Sequence, residues 1–182
     1  MEISSMNQHL ALTVLTENQP DTLSLLTQFL GTHQAVIESC KLLILGSEFA
    51  MLILIKAPWN EIAKLETQLP IFANQHNFLV QFKRTEPPEI ELLQWISYSA
   101  EFIAREPSNL LENVSQFFFD AGAQIYEISD NHYQANFAGM PMYSLALRVL
   151  IPADTLLSDL RERLVTLADF LNIDAYFEPE RN

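Results

Sequence analysis

From residue 9 to residue 16, Leu10, Leu12 and Val14 fall at every second position, a spacing that predicts a strand with one buried face. The run Asn18-Gln19-Pro20-Asp21 then turns the chain. Over 22–34 the period lengthens: Leu23, Leu26 and Leu30, flanked by Leu25 and Phe29, form a broad apolar face at helical spacing, and Asp21 stands at the expected N-cap. Two strands follow at 36–45 and 48–56, with Gly46-Ser47 between them as a hairpin turn. Pro58 opens a second helix, on which Trp59, Ile62, Leu65 and Leu69 recur every three or four residues, and Phe78, Val80 and Phe82 alternate in a closing strand. The order is βαββαβ.

The same order then begins again. Ile96, Tyr98, Ala100 and Phe102 alternate with Ser97, Ser99 and Glu101, and Arg105-Glu106-Pro107-Ser108 turns the chain 87 residues after the turn at Pro20. A helix with Leu110, Val114, Phe117 and Phe118 inward ends at Gly122, and Ala123-Gln124-Ile125 echoes Ala35-Val36-Ile37. Tyr143, Leu145, Leu147, Val149 and Ile151 alternate as a third strand. Pro152 opens a helix bearing Leu157, Leu160, Leu164, Leu167 and Leu171, and Ile173, Ala175 and Phe177 close the unit. An internal repeat of this size defines the architecture before any other feature.

The offset between the halves grows from 87 residues at the first turn to 95 at the last strand, mostly between the second and third strands, so 131–141 is expected to be an enlarged hairpin loop. Between the halves, Glu86-Pro87-Pro88-Glu89 supplies a stiff connection, because successive prolines hold an extended path and cannot sit inside a sheet. The expected domains are therefore 1–86 and 87–182, each α+β with an antiparallel four-stranded sheet and two helices. Two helices cover one face of such a sheet and leave the other face and the edges to find cover. The apolar hairpin 42–55 looks two-sided, which predicts burial against the sister domain or another chain, and a homodimer is expected.

Composition narrows the function. With 49% hydrophobic residues and only 4 glycines in 182, the chain has ample material for packed cores. A net charge of −13 argues against direct contact with nucleic acid or an anionic membrane, since such binding needs lysine and arginine to neutralise phosphates. The second half holds 15 acidic residues against 5 basic, the first half 8 against 5. That acidity makes either a solvated surface or a docking face for a basic partner. The first eight residues contain no basic segment followed by an apolar stretch, and 42–55 is shorter than the ~20 residues of a membrane-spanning helix, so a cytoplasmic protein is expected. Cys40, a lone cysteine in a strand-like segment, is expected to be a small buried hydrophobe.

No catalytic signature is present. The chain lacks a glycine-rich phosphate loop, a G-x-S-x-G elbow, an H-E-x-x-H motif and paired cysteines. His9, His33, His76 and His132 are scattered without ligand spacing and are expected to be surface or cap residues, so neither metal nor cofactor is expected and the chain reads as no enzyme.

Leu12-Thr13-Val14-Leu15-Thr16, Gln19-Pro20-Asp21, Ile37-Glu38-Ser39-Cys40-Lys41-Leu42, Leu45-Gly46-Ser47-Glu48-Phe49, Trp59-Asn60 and Leu69-Pro70 together resemble the first half of the glycine cleavage system transcriptional repressor family. The likeness runs through most of 9–85; in the second half it rests on the repeat. The resemblance implies tandem ferredoxin-like ACT domains and a regulatory role without catalysis. It also implies a protein partner, a LysR-type transcriptional activator held in a repressing complex, with glycine or another small amino acid as effector. A regulatory subunit tuning a metabolic enzyme is the alternative, and an enzyme on the same scaffold a third reading, since fold does not fix function.

ACT domains commonly hold amino acids at the turn between first strand and first helix, where free N–H groups favour a carboxylate. This places candidate ligand contacts at Asn18, Asp21, Thr22, Val36 and Ile37 in the first unit, and at Arg105, Ser108, Asn109, Gln124 and Ile125 in the second. The family's turn often carries glycine after the proline, where this chain has Asp21. A carboxylate there would satisfy the helix amides and repel a ligand carboxylate. The asparagine common at the start of the second strand is replaced by Val36 and Gln124. Any carboxylate ligand is therefore expected to prefer the second unit, where Arg105 can pair with it, Ser108 caps without charge and Gln124 can hydrogen-bond an amine. The plainer alternative is that Ser108 only caps its helix and Arg105 pairs with Glu106.

Overall fold

The computed structural model describes residues 7–86, 94–106, 108–134 and 139–180. The connection expected at 86–89 lies, apart from Glu86, outside the described residues, as does Pro107. The first unit runs β1 (Asn7–Glu17), α1 (Thr22–Thr32), β2 (Val36–Leu45), β3 (Glu48–Pro58), α2 (Trp59–His76) and β4 (Leu79–Thr85). The second runs β5 (Trp95–Ala104), α3 (Leu110–Asp120), β6 (Gln124–Gln134), β7 (Pro141–Pro152), α4 (Leu157–Leu171) and β8 (Asp174–Pro179). The chain divides into two compact units, 1–89 and 90–182.

Each unit is one antiparallel sheet, ordered β2-β3-β1-β4 in the first and β6-β7-β5-β8 in the second. The helix between β1 and β2 carries the chain over β3's place in the sheet, so the hairpin strand β3 slots in beside β1; β5, β6 and β7 repeat the arrangement. Register explains why strict alternation builds a core. Leu12 lies opposite both Ile53 and Phe82, and Ala100 opposite both Leu147 and Phe177, and residues directly opposite point to one face.

On that face the helices set Leu26, Leu30, Ile62, Leu65 and Leu69 into the first core, and Leu110, Val114, Phe118, Leu160 and Leu164 into the second, all buried. Stacked rings tie the elements together, Phe29 on Phe72 at 4.3 Å between centroids and Tyr98 on Phe177 at 4.5 Å. The repeat extends to irregularities: the ladder shifts between Ile37 and Ser39 in β2 and between Ile125 and Glu127 in β6, a bulge at matching points of the two units.

Several expectations change. Residues 131–134 pair with 141–144, so the strands take in both ends of the expected 131–141 loop. Pro152 ends β7 opposite Trp95, and α4 begins later, at Leu157. Cys40 is exposed, because β2 is the edge of its sheet and no residue along it is buried. His33, by contrast, takes the cap role expected of it, as the buried C-cap of α1.

The sheet faces away from the helices differ in character. In the first unit that face carries exposed Leu43, Leu45, Leu52 and Leu79. In the second it carries Ser97, Glu127, Arg148 and Glu180.

Candidate functional site

Each unit has a cavity at the same place, between the end of its first strand and the turn that follows its second helix. In the first unit about 330 Å³ is lined by Thr16, Glu17, Gln19, Asp21, Thr22, Leu25, His76, Asn77 and Phe78. In the second about 470 Å³ is lined by Ile103, Ala104, Arg105, Met140, Met142, Ala168, Asp169, Asn172, Ile173 and Asp174. Both volumes lie in the range of small-molecule sites.

The turns are built alike. α2 and α4 end in asparagines, Asn77 and Asn172, that take the left-handed conformation at φ 57° and 52°. Asparagine tolerates this geometry better than other residues with a Cβ. The left-handed residue reverses the chain so that Phe78 and Ile173 enter the last strand's path, which leaves the asparagine on the cavity wall.

The predicted contacts divide. Of the first set, Asp21 and Thr22 line the cavity, whereas Asn18, Val36 and Ile37 do not; Asn18 instead donates its backbone N–H to Ser47 O at 3.1 Å, tying the turn to the β2–β3 hairpin. Of the second set only Arg105 lines the cavity, not Ser108, Asn109, Gln124 or Ile125. Gln124 and Ile125 open β6, paired with Leu150 and Val149.

Two capping expectations also change. Asp21 is the N-cap of α1, but its side chain makes no cap hydrogen bond, so its carboxylate does not occupy the helix amides. The N-cap of α3 is Asn109, left-handed at φ 59°, and not Ser108. Among the described residues neither Asp21 nor Arg105 has an ion-pair partner, so the expected pairing of Arg105 with Glu106 is not formed.

The cavities differ in charge. The first offers two carboxylates, Glu17 and Asp21, with no lysine or arginine in its lining. The second sets Arg105 among Asp169 and Asp174, so a zwitterion can place a carboxylate at the guanidinium and an ammonium at the aspartates. Met140 and Met142 supply an adaptable apolar wall. Sequence reasoning missed His76, Asn77, Asp169 and Asn172; the signal available was an asparagine directly before the first apolar residue of each closing strand pattern, Phe78 and Ile173, 95 residues apart.

Two further polar clusters lie elsewhere. Glu180 accepts hydrogen bonds from Ser97 Oγ and from Tyr126 Oη (2.6 Å) and is ion-paired with Arg148, which also reaches Glu127 at 3.4 Å, so the cluster ties β5, β6 and β7 to the residue that follows β8. In the first unit Glu61 takes Lys64 Nζ at 2.7 Å and faces His33. Among the described residues no group of three or more histidines, cysteines, aspartates and glutamates is placed to hold a metal, and no helix is long and apolar enough to cross a membrane.

Residues 8–83 match the family model of the ACT domain. The first unit is therefore similar to ACT domains over nearly its whole length, and the second repeats the same order and sheet topology, so the chain has two ACT-type, ferredoxin-like folds in tandem. It is similar to the glycine cleavage system transcriptional repressor of Escherichia coli (strain K12), 27% identical over 121 residues that span 65% of this chain and 61% of that protein. The repressor of Shigella flexneri matches to the same extent. Two crystal structures share the fold along nearly the whole chain. One, assigned provisionally to a glycine cleavage system transcriptional repressor, has a TM-score of 0.71 at 21% identity and covers 98% of this chain and 100% of its own. The other, an unknown protein from Galdieria sulphuraria, has a TM-score of 0.76 at 20% identity, covering 96% and 99%.

Proposed function

We propose that this protein is a non-catalytic cytoplasmic regulator that represses glycine cleavage genes by binding a LysR-type activator protein, with glycine or another small amino acid as effector. The observation that carries the reading is the similarity to the Escherichia coli repressor, joined to a second-unit cavity whose Arg105, Asp169 and Asp174 suit both ends of an amino acid. The net charge of −13 supports action through a protein and not through DNA. The reading includes a homodimer, supported by the exposed apolar residues of the edge strand β2.

The test uses purified chain, purified LysR-type activator and a glycine cleavage promoter fragment. The chain is expected to bind the activator–promoter complex without binding the promoter alone. Glycine is expected to change that affinity, and the change is expected to vanish in Arg105→Ala. Direct promoter binding, or no association with the activator at any glycine concentration, would refute the reading.

A further inference from the structure

We propose that the helix-free face of the first unit's sheet is a dimer interface, covered by the same face of a second copy of this chain. The proposal rests on the homodimer of the preceding reading and names its surface. Register places Leu43, Ala50, Leu15 and Leu79 in one row across the four strands and Leu52 in the next, all on the side away from the helices. Leu43, Leu45, Leu52 and Leu79 are between 46% and 65% exposed, and contiguous apolar surface of this kind marks an interaction site. Four strands ~4.8 Å apart and about 30 Å long offer roughly 550 Å² per copy, about 1,100 Å² in all, at the lower end of stable interfaces. The equivalent face of the second unit carries Glu101, Glu127, Glu178 and Glu180 against Arg148, and two such faces repel.

The charges on this face identify the second copy as its occupant. At one end Lys56 and His9 are cross-strand neighbours, held to Glu38 at 3.5 and 3.1 Å, with Lys83 one row further in. At the other end Glu17 and Glu48 lie directly opposite each other on β1 and β3, a like-charge pair that costs stability. Among the described residues neither of these glutamates is in an ion pair. A two-fold axis lying between two such faces and running across the strands lays the start of each strand over its own end. Lys56 then meets Glu48 of the second copy and His9 meets its Glu17, while Leu52, midway between Glu48 and Lys56, meets its own counterpart. The same operation covers the leucines with leucines and brings cations to the paired glutamates. Lys41 lies level with Leu52 but on the edge strand, at the rim, where a long stem covers apolar surface and carries its charge outward.

The experiment is sedimentation equilibrium of the full chain and its variants, with circular dichroism confirming that each is folded. The parent is expected to dimerise, and Leu52→Asp to weaken the dimer about a hundredfold by setting two carboxylates against each other at its centre. Lys56→Glu and Glu48→Lys are each expected to weaken it about tenfold, and the two together in one chain to restore it, because each then faces its opposite charge again. In a Cys40→Ala background, Leu52→Cys is expected to be joined into covalent dimers by a short bis-maleimide, and Leu111→Cys, on α3, to remain uncoupled. A parent dimer indifferent to Leu52→Asp, or a charge exchange that restores nothing, overturns this surface and leaves the homodimer standing, as pairing through the β2 edge alone would. A parent that stays monomeric at every concentration overturns the surface and the homodimer together.

Discussion

His33 Nδ1, at the C-terminal end of α1, lies 3.5 Å from Glu61 Oε2 in the first turn of α2, with both side chains less than one-tenth exposed. The placement suits both helices, because a helix C-terminus favours positive charge and a helix N-terminus favours negative charge. The Lys64 hydrogen bond, then the Lys64 charge and His33, hold the Glu61 carboxyl below its ordinary value of 4.5 against the opposing effect of burial.

A carboxylate whose affinity for protons is lower in the folded state contributes stability that is full above its unfolded pKa and is lost as pH falls through the folded one. Glu61→Gln is therefore expected to lower the denaturation midpoint at pH 7, and the gap from the parent to narrow as pH drops below 4.5. Urea titrations of both proteins from pH 7 to pH 3 check this; a gap that widens toward acid would contradict it.

Leu12 and Phe102 lie at the centres of the two cores, each with no exposed surface. Leu12→Ala is expected to cost about 2–5 kcal/mol and Phe102→Ala about 3–5 kcal/mol, through lost burial and the cavity left behind. Each should destabilise its own unit. Hydrogen exchange read separately over β1–β3 and β5–β7 checks that assignment.

Glu180 continues the pairing of β8 with β5, donating its backbone N–H to Ser97 O at 3.0 Å, while its side chain joins Ser97, Tyr126 and Arg148. The Ser97 and Tyr126 hydrogen bonds, more than the Arg148 charge, hold its carboxyl below the ordinary value. Burial first, and then Glu180, raises the Tyr126 phenol. Glu180→Ala is expected to speed amide exchange in β8 and to bring the Tyr126 pKa down toward its ordinary value of 10.0, measured by ultraviolet titration against Tyr126→Phe.

At Asn77 the left-handed backbone sets the outcome of substitution. Asn77→Gly is expected to be neutral or slightly stabilising, and Asn77→Ala to cost about 1 kcal/mol, since alanine gains nothing locally to offset the strain. Thermal denaturation of the two variants gives the comparison, and equal melting temperatures would refute it.

Much of the fold is legible in the chain because its periods are clean. Leu10, Leu12 and Val14 recur at period two and Ile62, Leu65 and Leu69 at helical spacing, and all six are buried. Trp59 shares the second pattern yet is 56% exposed, at the first position of α2. The turn at Asp21 and Thr22 is legible as a candidate site by resemblance, but the cavity wall opposite is not. His76 and Asn77 lie more than fifty residues further on, and nothing local announces that the α2–β4 turn closes over the end of β1.

The sequence by itself determined the two sixfold units, their cores and the acidic balance of the second, because burial follows periodicity and charge follows composition. The tertiary structure alone decided that β2 is an edge without a buried residue, that His33 meets Glu61, and that the two equivalent cavities differ in charge. Those outcomes depend on which distant segments come within a few ångströms, and contact between residues far apart in the chain is set by packing, not by local pattern.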